Sequence, residues 1–228
     1  MSLELVKISD TYALDLVAEA NHRIANHLAM IAGLMRSQGA RIFEKQQALS
    51  GQEVRLTLEE FATRLETVAK VHRMLSHSDD GDPVDVDAYL RSIAERMLSS
   101  LSVAGEIKLQ CELRSSCVLP SEKAITLGLL VGELVTNAVK YAHPAGVAGR
   151  ISVNASMTRD GFILINISDD GVGFPEGLDP LKGGGMGLRI IRALIAKLGG
   201  AISFENHDLG LSCTLLVPHG KGELKAVS

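Results

Sequence analysis

Residues 169–188 read DDGVGFPEGLDPLKGGGMGL and run directly into GLRIIRALIAKL, an apolar stretch with helical periodicity. Seven of the 22 glycines fall between Gly171 and Gly187. Glycine lets backbone approach a ligand closely and reach positive φ without obstruction, so this run predicts a mobile cover over a phosphate. The N–H groups at the start of the following helix have no intrahelical partners and point toward whatever the cover encloses, so an anion is expected there.

Upstream, FILINIS predicts a strand ending at Asp169, and GELVTNAVKYAHP, residues 132–144, predicts a helix. Four-residue spacing puts Glu133, Asn137 and Tyr141 on one stripe, opposite Leu134 and Ala138, so the stripe is expected to face a polar cavity or water. The Asn137 amide oxygen is a hard ligand suited to Mg²⁺, and Lys140 beside it can hold phosphate as a point charge. The Asp169 carboxylate could accept the exocyclic amine of adenine and would repel the carbonyl of guanine. Read singly, the helix is an ordinary amphipathic one and DDG an ordinary turn; their order, with the glycine run following, gives the reading its weight.

The N-terminal third has a different pattern. Leu14, Val17, Asn21, Ile24, Leu28, Ile31 and Met35 alternate three and four apart, as do Leu58, Phe61, Leu65, Val68, His72 and Leu75. Each set is a heptad seam, and together they predict a helical hairpin. Two helices bury too little alone, so the seam must face the rest of the chain or a second copy, and a homodimeric four-helix bundle is expected. This phase puts His72 in the seam as a packing residue and turns His22 outward, with Glu19 and Asn26 on the same exposed patch. A solvated polar face with a Glu19–Arg23 pair is the plainer account of that patch.

After SHSDDGDP, residues 76–83, helices near 86–101, 121–141 and 188–198 mix with the strands IKLQCEL, RISVNAS, FILINIS, AISFEN and CTLLV. The expected fold class is α+β, a hairpin followed by an α/β sandwich with helices on one face of a mixed sheet. The expected domains are residues 1–80, 81–220 and a polar tail, 221–228. A net charge of −4 and 4% aromatic residues give no reason to expect nucleic acid. The apolar run 124–135 carries Glu133 and falls short of the roughly 20 residues of a membrane span, so neither a span nor a signal peptide is expected. Three cysteines without CxxC spacing indicate neither a zinc site nor a disulfide framework and suit a cytoplasmic location.

The three C-terminal segments resemble the asparagine, DxGxG and GxGxGL boxes of the GHKL ATPases. EANHRIANHLAMIAGLMRSQ resembles the phosphoacceptor segment of the HRxxN sensor histidine kinases, relatives of the HWE group, and the likeness covers roughly residues 15–218. Gly132 and the absence of tryptophan set the chain closer to the HRxxN group than to the HWE kinases proper. The resemblance implies that His22 accepts the γ-phosphoryl group of ATP and passes it to an aspartate of a response-regulator receiver domain. It further implies that Asn137 holds Mg²⁺, Glu133 orients or activates that site, and Asp169 reads adenine. Lys140, Tyr141, Gly171, Gly173, Gly183, Gly185, Gly187 and Leu188 would complete the nucleotide site. Arg23 stands where many such kinases carry an acid, making Glu19 the candidate proton acceptor; Asn26 could orient water for a reverse phosphatase reaction. Gly210 is followed by Leu211 rather than threonine, which predicts a missing nucleotide-side hydroxyl and weakened ATP affinity. With no sensory segment before the hairpin, input is expected from a separate sensor protein, the regulator or a ligand. The rival readings are a noncatalytic phosphotransfer adaptor with a vestigial nucleotide domain, and a GHKL ATPase or serine kinase.

Overall fold

The computed structural model describes residues 25, 28–29, 32–33, 35–37, 39–40, 42–43, 50–75, 83–101, 107–142 and 148–220. The chain divides into two compact units, Met1–Asp82 and Pro83–Ser228.

In the first unit, the described residues between 25 and 43 are helical, and helix α1 spans Gly51–Leu75. A reciprocal cap starts α1. The Glu53 N–H donates to Ser50 Oγ at 3.2 Å, and the Glu53 carboxylate accepts the Ser50 N–H at 2.8 Å. The Ser50 N–H, and after it the Ser50 hydroxyl that donates to the same carboxylate at 2.8 Å, hold the Glu53 carboxyl below its ordinary range. Within the single chain, burial divides the expected seam. Phe61 and Val68 are buried, but so are Arg64, Thr67 and Val71, whereas Leu58 is 61% and Leu65 44% exposed. Val54, also exposed, joins Leu58 and Leu65 in an apolar stripe beside the buried one. Leu28 and Met35, expected in the seam of the first helix, are exposed too.

The second unit is an α/β sandwich. Its elements are β1 (Val84–Asp85), α2 (Val86–Leu101), β2 (Ile107–Arg114), β3 (Val118–Leu119), α3 (Ser121–Asn137), β4 (Gly149–Met157), β5 (Phe162–Asp169), α4 (Met186–Lys197), β6 (Ala201–Asn206) and β7 (Leu211–Pro218). The five-stranded sheet has the order β2-β4-β5-β7-β6, with β2 and β4 parallel and every other pair antiparallel. Two-residue alternation makes its faces unlike. Ile151, Val153 and Ala155 of β4, Ile163, Ile165 and Ile167 of β5, and Cys213, Leu215 and Val217 of β7 are buried toward the helices. Burial pushes the Cys213 thiol up to about 12, and it raises the Cys111 and Cys117 thiols as well. On the opposite face the register aligns Glu112, Asn154, Asn166, Thr214 and Ser203 in one polar row across all five strands.

Helix α3 lies between α2 and α4, and every residue from Ala124 to Thr136 is buried. It is apolar nearly all round because it is covered nearly all round. Of the stripe expected to face a polar cavity or water, Glu133 is only 5% exposed, Asn137 is half-buried and Tyr141 is exposed. At Ala138–Ala142 the helix widens into a π turn, a feature frequent at functional sites, which takes Lys140 and Tyr141 out to solvent.

The β6–β7 turn closes against the end of β5. Gly210 sits at φ 95°, and a Cβ there would lie 1.9 Å from the Asp169 carbonyl oxygen. Gly161, at φ 79°, has nothing within 4 Å of a Cβ. Gly161→Ala is therefore expected to cost only the backbone strain of about 1–2 kcal/mol. Gly210→Ala carries that strain plus a backbone collision, so thermal denaturation should show the larger loss for it; equal losses would refute this account of the turn.

Candidate nucleotide site

Asp169 ends β5 on the helix face of the sheet, in phase with Ile163, Ile165 and Ile167. Register sets buried Ile151 beside it, and one step beyond the last β5–β7 pair, Ser168 with Ser212, brings Leu211 to its other side. The half-buried carboxylate accepts the Gly171 N–H at 3.0 Å and is thereby aimed. The next acid is engaged differently. Asp170 accepts the Arg150 N–H at 2.7 Å, and its own N–H donates to the Arg150 carbonyl at 3.3 Å, pinning the strand end.

The DxGxG loop then lies on the π turn. Val172 donates to the Ala142 carbonyl at 3.0 Å, and a Cβ on Gly171 would come within 2.2 Å of that same oxygen. Only glycine allows this approach, which joins the Asp169 loop to the end of the helix that carries Asn137. Asn137 is half-buried at the last position of α3, with Glu133 buried one turn before it. Gly173, at φ 67°, lies against the Asn206 amide. That amide clamps Phe174 from both sides, accepting its N–H at 3.0 Å and donating to its carbonyl at 3.1 Å. The Phe174 ring meets Phe204 edge to face at 5.5 Å.

From Pro175 to Gly185 the glycine-rich segment is a sequence of bonded turns. The Leu178 N–H reaches the Pro175 carbonyl, and the N–H groups of Leu181, Lys182 and Gly183 all return to Asp179. Gly183 belongs to this turn and Gly185 is the N-cap of α4. Gly187, expected to shape the cover, and Leu188, expected in the nucleotide site, are buried in the first turn of α4. No side chain caps α4, so the positive end of its dipole is left to an external group. Among the described residues, no group of three or more His, Cys, Asp or Glu side chains could hold a metal ion. Asn137, Lys140, Tyr141, Asp169 and the glycines of the 171–187 run all belong to the second unit. His22, Glu19 and Asn26 lie outside the described residues, as does the side chain of His72.

Arg192, which donates to the Pro180 and Gly183 carbonyls, and Asn206, which holds Phe174, carry no sequence signal. An arginine on an amphipathic helix and an asparagine at a strand end both read as solvated surface. Among the described residues, no helix is long and apolar enough to cross a membrane.

Residues 19–101 match the family model described as histidine kinase, and residues 122–221 match the one described as histidine kinase-, DNA gyrase B-, and HSP90-like ATPase. The sensor histidine kinase PdtaS of Mycobacterium tuberculosis is 31% identical over 90% of this chain and 40% of its own length. Blue-light-activated histidine kinase 2 of Erythrobacter litoralis is 27% identical over 89% of this chain and 56% of its own. The chain thus spans between two-fifths and three-fifths of these relatives. The solved histidine kinase domain of the E. litoralis EL346 blue-light activated kinase superposes with a TM-score of 0.66 at 26% identity, covering 90% of this chain and 91% of that domain. With both models matched in succession, the chain belongs to the histidine kinase family, its GHKL-type ATPase domain following the segment matched as histidine kinase.

Proposed function

We propose that this chain binds ATP in the second unit, phosphorylates itself on His22, and passes the phosphoryl group to an aspartate of a receiver domain. The observation that carries this reading is the Asp169 carboxylate, aimed by the Gly171 N–H on a loop that lies against Ala142, just past the helix end bearing Asn137. A carboxylate so placed accepts the amine of adenine, and the uncapped helix start accepts phosphate.

Phosphoryl transfer asks the protein mainly for position and for charge neutralisation. Neutral imidazole supplies the lone pair: the new N–P bond forms as the bond from γ-phosphorus to the β–γ bridging oxygen breaks, and ADP leaves. The imidazole proton goes to a base, for which Glu19 is the candidate. Transfer to the receiver then breaks that N–P bond and forms an acyl phosphate on its aspartate. Asn26 is the candidate for orienting water in the reverse, phosphatase direction. The donors present suit Mg²⁺: the half-buried Asn137 offers an amide oxygen, and buried Glu133 sits one turn away. When bound, the ion neutralises charge on the phosphates. Lys140 and Tyr141, exposed on the π turn, are assigned to the nucleotide as well.

In this reading residues 1–80 form the dimerisation and phosphotransfer hairpin, 81–220 the catalytic domain and 221–228 a tail, in a cytoplasmic protein. The exposed stripe Val54, Leu58 and Leu65 supports a homodimeric bundle. A second reading, a noncatalytic adaptor, is favoured by one observation: the apolar Leu211 stands beside Asp169.

Incubation with labelled ATP and Mg²⁺ followed by acid or alkali separates the readings. Wild-type chain should acquire an acid-labile, alkali-stable label, and His22→Gln should acquire none; label persisting in His22→Gln would remove His22 from its role. Calorimetry tests the nucleotide site. Asp169→Asn should weaken ATP binding about 30-fold, the equivalent of about 2 kcal/mol for a charged hydrogen bond, and unchanged affinity would dismiss Asp169 as the reader of adenine. Leu211→Thr should tighten ATP binding several-fold if the missing hydroxyl matters, and an unaltered Kd would show that it does not. Light scattering should find Leu58→Glu/Leu65→Glu shifted from dimer to monomer.

A further inference from the structure

The glycine-rich segment is fastened at a second point that the nucleotide reading does not use. Arg192, in the second turn of α4, donates from Nη1 to the Pro180 carbonyl at 2.7 Å and to the Gly183 carbonyl at 2.8 Å, both in part-buried surroundings. These two acceptors belong to the turn whose N–H groups at Leu181, Lys182 and Gly183 already return to Asp179. Donors are thus satisfied inside the turn, and the carbonyls at Pro180 and Gly183 are satisfied by one guanidinium reaching back along its own helix. Charged donors make the stronger hydrogen bonds, and shielding from water strengthens them further. At the other end, the Asn206 amide holds Phe174. Between these anchors only Pro175–Leu178 remains, where Glu176 and Gly177 are exposed.

We infer that Arg192 is a positioning residue: it staples the Asp179–Gly183 turn to α4, so that the cover is half fixed, and it thereby sets how long a nucleotide stays bound. The second clause rests on the ATP reading above; the first does not. With the turn fixed, the Gly183–Gly185 backbone is held in one geometry before any phosphate arrives, which lowers the ordering cost of binding. Arg192 touches no reacting atom in this account, so its loss should act on nucleotide retention and leave the transfer step alone.

Two measurements on the full chain test this. Trypsin can cut after Lys182 only when the turn opens, so the cleavage rate reports the open population without any nucleotide present. Mass spectrometry of fragments ending at Lys182 should show Arg192→Ala cut about tenfold faster than wild type, on the scale of a lost charged hydrogen bond. Stopped-flow release of a fluorescent ATP analogue should quicken, and KM for ATP should rise about tenfold with the autophosphorylation rate at saturating ATP unchanged. Arg192→Lys, which keeps the cation but not the reach and planar direction of the Nη1 donor, should lie between the two; if Arg192→Ala does not fold, this variant decides on the same scale. Wild-type cleavage rates in the folded variants would overturn the staple. Faster cleavage with unaltered nucleotide release would overturn its link to residence time. Faster cleavage in a chain whose wild type binds no ATP would uphold the staple and defeat the nucleotide reading instead.

Discussion

Enclosure of α3 is the constraint on which the second unit depends. A helix with thirteen consecutive buried residues, Ala124–Thr136, has to be covered on every side, and α2, α4 and the apolar face of the sheet supply that cover. Its polar functional group can emerge only where the cover ends. Asn137 stands at that point, and the change to a π turn directly after it gives the chain the room to bring Lys140 and Tyr141 outward. The site is therefore located by packing before any ligand is considered.

A second constraint is the close backbone contact on either side of β5. Gly171 lies on the Ala142 carbonyl and Gly210 on the Asp169 carbonyl, so the strand end is held between the π turn and the β6–β7 turn. Asp169 is fixed in direction by this arrangement together with the Gly171 N–H. The neighbouring Asp170, chemically identical, is spent on the Arg150 backbone. Two adjacent carboxylates thus acquire different duties from the two-residue period of a strand alone.

Much of this was legible in the sequence. Alternation in RISVNAS, FILINIS and CTLLV reported the sheet, and helical periodicity located α2, α3 and α4 to within a few residues. The strand end at Asp169 and the helix end near Asn137 were legible because such ends have recognisable local chemistry. Whether Glu133 faces a cavity or water was not legible, because a stripe defined by four-residue spacing says nothing about what covers it; the fold buries it. The seam of α1 was only partly read: Arg64 has a long apolar stem that can be buried, while Leu58 and Leu65 are left exposed in this chain. Arg192 and Asn206 stayed hidden because their partners are loop carbonyls and N–H groups, whose positions follow from the folded path of the loop.

The burial that builds the sandwich also silences its sulfur chemistry. All three thiols of the chain have pKa values raised by desolvation, Cys213 to about 12, so they remain protonated and poorly nucleophilic near neutrality. Cys117 and Cys213 are also buried and Cys111 half-buried, so all three are less open to attack than a thiol on the surface. A cysteine introduced at an exposed position of the cover, such as Glu176, would stand out against them and would allow fluorescence to follow opening and closing in real time.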